Sequence, residues 1–352
     1  MNIHLSPIRR NVVSLVLACS TLILLSFSTA QAQDDQPLDV VKVYSNLVSV
    51  PVIVSDRDGR YLPGLRQEDF KLFDNGTAQA LSFFDAAEEP LNVALLLDTS
   101  RSTEGVLDDI KKAAKNFLKE LRPQDRAMIV SFDYGIHKLS PLTNDRKVLE
   151  QAIKQAEVGE VLGTLLNDAV LESVGRDLKP INGRKAIILL TDGEDHGSLT
   201  AESELVAYAS ESDAMIYSIY YSPEGRRGRD RPFRGMGGIF GGRGRGGMRD
   251  RFPRQGGPRR DPGWGRPGDR SEEAKAFLAK LSEVSAGRFY QSKKTDLKKT
   301  FVLIAQELRN QYRLGFVPDN LARDGSLHAL KVKVDKPDIA VRARTQYRAM
   351  MK

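Results

Sequence analysis

The run Val93-Ala94-Leu95-Leu96-Leu97 constrains this chain more than any other feature: it is apolar at every position and stops abruptly at Asp98. A strand with one wet face alternates apolar and polar residues. A continuous run implies that both faces are covered, as at the centre of a parallel sheet flanked by helices. Similar runs recur at Met128–Phe132, Ala186–Leu190 and Met215–Tyr221. Between them lie segments of helical period. Val106–Leu121 carries Ile110, Ala113, Ala114, Phe117, Leu118 and Leu121 at steps of three and four. Lys147–Ala156, Asn167–Leu178 and Glu202–Glu211 read as further helices. The alternation predicts an α/β fold, a doubly wound, mostly parallel sheet spanning about 92–310. Its last elements are a helix Ser271–Val284 with Ser271 as N-cap and Gly287 as terminator, an edge strand Arg288–Tyr290 and a closing helix Leu297–Leu308.

The flanks have a different rhythm. Val48, Val50, Val52 and Val54 alternate ahead of the turn Asp56-Arg57-Asp58-Gly59, and Phe70, Leu72 and Phe73 precede a second turn at Asp74-Asn75-Gly76. Alternation returns at Leu330, Val332 and Val334. Each β region, 40–88 and 311–348, is too small to bury much surface alone. The expectation is that they pair into one discontinuous β-sandwich with the α/β domain inserted between them.

Arg9 and Arg10, the apolar run Val12–Phe27 and the small-x-small pattern Ala30-Gln31-Ala32 read as a signal peptide over 1–32, cleaved after Ala32. Retention as an anchor is the alternative, although the run falls short of the ~20 residues that span a bilayer. Export would place the chain in the periplasm, the cell envelope or outside the cell. Cys19, the only cysteine, lies within the signal, so the mature chain can form neither disulfides nor thiolate metal sites.

The net charge of +7 is concentrated. Pro223–Arg270 holds 14 Arg, 15 Gly and only 5 acidic residues in 48 positions, which leaves the rest of the chain mildly acidic. This stretch reads as a disordered insertion. Its charge suits a polyanion or an anionic envelope surface, and in an exported chain nucleic acid is the disfavoured partner.

The chemistry lies at the ends of the apolar runs. Asp98-Thr99-Ser100-Arg101-Ser102 follows the first strand, Thr164 precedes the helix that opens near Asn167, and Thr191-Asp192-Gly193 follows the strand Ala186–Leu190. Ligands of open α/β sheets collect at the carboxyl ends of the strands. The predicted sheet therefore brings two carboxylates, Asp98 and Asp192, together with the hydroxyls of Ser100, Ser102 and Thr164. Alone, Asp98, Ser100 and Ser102 could be no more than a helix N-cap and polar loop. With Thr164 and Asp192 in register they form a set of hard oxygen donors, suited to Mg²⁺, Ca²⁺ or Mn²⁺. Glu194 and Asp195 read as a solvated acidic rim, with additional cation ligation as the other reading; together with Arg101 they would border an incoming partner.

Asp98-x-Ser100-x-Ser102, Thr164 and Asp192 together resemble the metal-ion-dependent adhesion site of von Willebrand factor type A domains. The resemblance covers about 92–308, with the arginine-rich stretch as an addition. It implies that Ser100, Ser102 and Thr164 contact the metal or its waters and that Asp98 and Asp192 hold it directly or through water. A protein partner's Asp or Glu would complete the shell. Arg101 and Thr103 depart from the small and apolar residues usual at those positions. The flanking Val52-x-Val54-x-Asp56-x-x-Gly59 and Gln311-Tyr312-Arg313-Leu314-Gly315-Phe316 resemble an exported acidobacterial group of von Willebrand factor-related proteins.

The expected function is metal-dependent protein binding or adhesion. A structural envelope component held by its Arg/Gly-rich insertion is the alternative, with a magnesium-dependent hydrolase behind it. Neither Gly-x-Gly-x-x-Gly nor Gly-x-x-x-x-Gly-Lys-Ser/Thr follows the first strand, so no nucleotide is expected. Ser100 replaces the second carboxylate of an Asp-x-Asp pair and no histidine has a base's spacing, so the chain is not expected to be an enzyme.

Overall fold

The computed structural model describes residues 47–221, 267–293, 296–318 and 325–349. The signal peptide and almost all of the arginine-rich insertion lie outside the described residues. The elements in chain order are β1 (Val48–Asp56), β2 (Phe70–Asp74), β3 (Thr77–Gln79), β4 (Phe83–Asp85), β5 (Leu91–Asp98), α1 (Leu107–Glu120), β6 (Arg126–Phe132), β7 (Ile136–Lys138), α2 (Arg146–Gln155) and α3 (Leu166–Glu172). They continue with β8 (Arg184–Thr191), α4 (Glu202–Glu211), β9 (Ala214–Tyr221), α5 (Pro267–Val284), β10 (Phe289–Ser292), α6 (Leu297–Arg309), β11 (Gln311–Phe316), β12 (Leu327–Val334), β13 (Ile339–Ala343) and β14 (Gln346–Arg348).

Six strands form one sheet in the order β10-β9-β8-β5-β6-β7. All its pairs are parallel except β6 with β7. The apolar run of β5 is divided by its own pleat. Val93, Leu95 and Leu97 face one core with Ile110 and Phe117 of α1, Ile153 of α2 and Phe301 and Ile304 of α6. Ala94 and Leu96 face a second core with Leu166 and Val170 of α3, Leu205 of α4 and Leu278 and Leu281 of α5. Successive strand side chains point to opposite faces, so a run with no polar position requires helices on both sides. Each fully buried Leu or Val contributes about 1.5–3 kcal/mol.

Two four-stranded sheets, β13-β1-β11-β4 and β14-β12-β2-β3, mix strands from both ends of the chain. β1 runs antiparallel to β11, with Val50 opposite Leu314, and β12 runs antiparallel to β2, with Val332 opposite Leu72. Val50, Val52, Val54, Leu72, Tyr312, Leu314, Phe316 and Tyr347 pack in one core between them. The Tyr312 hydroxyl donates to the Leu62 carbonyl (2.6 Å) and accepts from the Leu65 amide (3.1 Å), which pins the loop after β1.

Three local expectations need correction. Helix α5 begins at Pro267, not after Ser271; the Ser271 hydroxyl instead meets that of Tyr220 at 2.8 Å. The left-handed residue that ends α5 is Ala286 (φ 61°), and the Gly287 amide bonds back to the Ser282 carbonyl. Gly287 is required for space, because a Cβ there would lie 1.8 Å from the Ile216 carbonyl oxygen. The segment expected as one helix over 167–178 is α-helical only to Glu172 and continues as a π-turn over Ser173–Leu178. Gly175 there packs against the Tyr208 hydroxyl.

Buried polar contacts join the sandwich to the sheet. Glu307, fully buried near the end of α6, accepts from the hydroxyls of Tyr217 in β9 (2.8 Å) and Tyr61 in the loop after β1 (2.9 Å). It also pairs with Arg342 of β13 and with Arg288. Arg184, buried at the start of β8, donates to the carbonyls of Glu89 (2.8 Å) and Leu308 (2.7 Å). Removing one member of a buried charged network strands the others. Glu307→Ala should therefore lower unfolding free energy by ~3–5 kcal/mol in denaturant melts. Arg57→Ala, which breaks a pair with Asp338 whose side chains are 79% and 70% exposed, should cost under ~1 kcal/mol. Equal losses would contradict this account of the junction.

Candidate metal centre

Asp98 is the last residue of β5, and β5 lies between β6 and β8. The register pairs Asp98 with Phe132 of β6 and Leu97 with Leu190 of β8, so Thr191 arrives beside Asp98. The Asp98 carboxylate is fully buried. Its Oδ1 accepts from the Ser100 amide (2.9 Å) and Ser100 Oγ (2.5 Å), and its Oδ2 accepts from Thr191 Oγ1 (2.7 Å). Ser100 Oγ in turn lies 3.0 Å from Ser102 Oγ. Thr103 is buried with its hydroxyl donated to the Ser100 carbonyl (2.8 Å), which closes the short turn Arg101–Thr103.

Asp192, Ser100 and Thr164 are also buried. Asp192 Oδ1 accepts from the Glu194 amide (3.2 Å), and the Gly193 amide donates to Thr191 Oγ1 (2.9 Å). Gly193 takes a left-handed conformation (φ 77°), and a Cβ there would press on Ala274 and Leu278 of α5. The loop bearing Thr164 is tied to the same sheet edge by backbone bonds from Gly159 to the Thr99 carbonyl (2.8 Å), from Leu165 to that of Asp133 (2.7 Å) and from His196 to that of Thr164 itself (3.0 Å).

Burial, with the charge of Asp192 second, pushes the Asp98 carboxyl up to about 7, against the hydrogen bonds from Ser100 and Thr191. Tyr221, the last residue of β9, is buried beside Ser102. Burial raises its pKa, the charges of Asp98 and Asp192 raise it further, and the hydrogen bond to the Ser102 side chain works against them. A buried hydroxyl next to two carboxylates is one more hard oxygen that a bound cation or its water would meet. Among the described residues no group of three or more His, Cys, Asp or Glu side chains could hold a metal. A cation here would therefore depend on hydroxyl oxygens as well as on the two aspartates.

The rim residues divide. Arg101 is exposed on its turn. Glu194 meets the His196 ring at 3.2 Å. Asp195, expected at the partner's border, turns inward: Oδ2 accepts from the Asn167 amide (2.8 Å), and Oδ1 accepts from Gly197 (3.2 Å) and Ser198 (3.0 Å). It fastens its loop to the start of α3, where a carboxylate also meets the positive end of the helix. Asp168 does the same from the other side, accepting from the amides of Leu199 and Thr200 (both 2.9 Å). Burial raises its pKa, but the Thr200 hydroxyl and these two amides outweigh that and hold it below the usual range.

Sequence reasoning missed Thr191 and Tyr221 as members of the cluster. The apolar run into Thr191-Asp192 was the signal for the first, and the end of the run Met215–Tyr221 for the second. It also missed a hydrogen-bonded chain in the sandwich. His328 Nδ1 lies 2.8 Å from Asp74, His328 Nε2 lies 3.1 Å from Ser326 Oγ, and the Tyr347 hydroxyl donates to Asp74 (2.9 Å). These contacts knit β2, β12 and β14 together, across a sequence gap that no local motif reveals.

An open, mostly parallel α/β sheet with an oxygen-rich cluster at its carboxyl edge defines a class of ligand-binding domains. Residues 93–194 match the family model of the von Willebrand factor type A domain, and the chain carries that domain. No curated protein matches the chain in sequence. Among solved structures, BatB of Bacteroides thetaiotaomicron is similar at 19% identity and TM-score 0.41, over 62% of this chain and 97% of that one. The vWF domain of the type V pili tip protein Mfa5 of Porphyromonas gingivalis is similar at 14% identity and TM-score 0.43, over 62% and 94%. Proximal thread matrix protein 1 of the mussel byssus, in a form with a zinc-occupied MIDAS motif, is similar at 14% identity and TM-score 0.45, over 66% and 48%.

The raised pKa of Asp98 sets a pH dependence. Its ordinary value is 3.8, so the fold favours the protonated form, and ionisation costs stability as pH rises from about 4 to about 7. In EDTA, the wild type should lose melting temperature between pH 5 and pH 8 relative to Asp98→Asn, which has no carboxyl to ionise there. Parallel pH profiles for the two proteins would contradict the assignment.

Proposed function

We propose that this chain is an exported, cation-dependent protein-binding module. The observation that carries the proposal is the buried Asp98 knot. One carboxylate is held by Ser100 and Thr191, raised in pKa by its burial and then by the neighbouring Asp192, and flanked by Ser102 and the buried Tyr221 hydroxyl. The donor set is all hard oxygen, which suits Mg²⁺, with Ca²⁺ or Mn²⁺ as the other fitting ions. Ser100, Ser102 and Thr164 would offer hydroxyl oxygens, and Asp98 and Asp192 their carboxylates, directly or through water. Such a cation, only partly neutralised by the chain, supplies a Lewis-acidic position that accepts an Asp or Glu side chain of a protein partner. Burial beneath the loops excludes bulk water and strengthens that attraction.

The remaining elements support this role. The two four-stranded sheets would form a base from which the six-stranded sheet presents its loop edge. The signal 1–32 directs the chain to the periplasm, envelope or exterior. The arginine-rich 223–270 adds a cationic segment suited to an anionic surface.

Calorimetric titration of EDTA-stripped protein with Mg²⁺ or Mn²⁺ tests the proposal. One cation should bind, with affinity at least about tenfold weaker in Thr164→Ala and in Asp192→Ala. Absence of uptake, or uptake unchanged in both variants, would reject it.

A further inference from the structure

Seven large apolar side chains are exposed among the described residues, and the four most exposed share one end of the molecule. Leu199 is 96% exposed, Leu162 73%, Tyr134 59% and Val161 57%; Val148, Leu303 and Leu327 follow at 40%, 39% and 47%. Tyr134 stands two residues beyond β6, whose last carbonyl, that of Phe132, accepts from the Thr99 amide. Its ring packs on Gly163, next to Thr164. Val161 and Leu162 lie between Gly159, bonded to Thr99, and Thr164. Leu199 belongs to the loop after Asp192, which is bonded to Thr164 through His196.

These side chains do not sit on slack tips. The Leu199 amide is bonded to Asp168, and Asp195 fastens the same loop to α3. A fixed frame that holds leucines out into water marks an interaction surface. Exposed Glu104, Glu157 and Glu160 lie on the neighbouring loops, with Arg101 as the exposed cation among them. Three acids against one arginine repel an anionic membrane or a polyacidic tract, leaving a lone carboxylate with apolar neighbours as the complementary ligand.

We propose that Tyr134, Val161, Leu162 and Leu199 form an apolar collar beside the cation site. The fitting partner is a protein segment with a single Asp or Glu next to a large apolar residue such as Leu, Ile or Phe. The acid reaches the cation and the apolar neighbour covers the collar. This inference rests on the cation-dependent reading above and specifies its partner.

The test pans a displayed random-peptide library on the full chain in Mg²⁺, elutes with EDTA, and titrates the enriched peptides against wild type and the Leu162→Ser/Leu199→Ser double variant. Enriched peptides should pair an acidic residue with an apolar one within two positions. The double variant should bind them at least about tenfold more weakly while its calorimetric Mg²⁺ uptake is unchanged. EDTA-eluted acidic peptides without apolar neighbours, equally bound by the variant, would overturn the collar and leave the cation reading standing. So would sedimentation showing that the collar residues instead hold two copies of the chain together, or vesicle binding that needs them. Loss of both peptide enrichment and Mg²⁺ uptake would remove the cation reading itself.

Discussion

Two carboxylates, Asp98 and Asp192, held close together beneath the surface are the constraint around which the upper end of this molecule is organised. Removing a carboxylate from water penalises its charge, and a second one nearby adds repulsion. The chain responds with local hydrogen bonds: the Ser100 amide and hydroxyl on one oxygen of Asp98 and the Thr191 hydroxyl on the other. These do not cancel the penalty, since the Asp98 carboxyl remains pushed up to about 7. A divalent cation, as proposed above, would neutralise both groups at once and relieve that penalty.

The parallel sheet makes this juxtaposition possible. Neighbouring parallel strands end on the same edge, so Asp98 and Thr191 meet because β5 and β8 are in register. The helices that cover the two faces fix that register by burying every residue of both strands. At the other end of the domain, Arg184 and Glu307 bind the sheet to the sandwich through buried polar contacts. Tyr217 and Tyr221 lie on one face of β9, so a single strand reaches from the Glu307 junction to the Asp98–Asp192 cluster.

Much of this was legible in the sequence, for physical reasons. Runs without a polar position, broken by segments of helical period, leave little choice but a two-sided sheet, and their abrupt ends at Asp98 and Thr191-Asp192 mark its functional edge. Other features depend on contacts that no window contains. Glu307 and Tyr61 are 246 residues apart in sequence, and Asp195 looks like a rim acid until its loop folds back onto α3. The start of α5 was hidden because Pro267 and Gly268 share the composition of the insertion before them. Ala286 holds the left-handed position usually given to glycine, while Gly287 is reserved for the close approach of β9. The exposed collar was invisible because its members are scattered, one or two to a loop.

The account turns on one cation among five side chains. Crystals grown with Mn²⁺ and measured at its absorption edge test this directly. The anomalous difference map should show one strong peak among Asp98, Ser100, Ser102, Thr164 and Asp192, within coordination distance of serine or threonine hydroxyls. A map with no peak there, or with manganese bound only elsewhere on the chain, would contradict it.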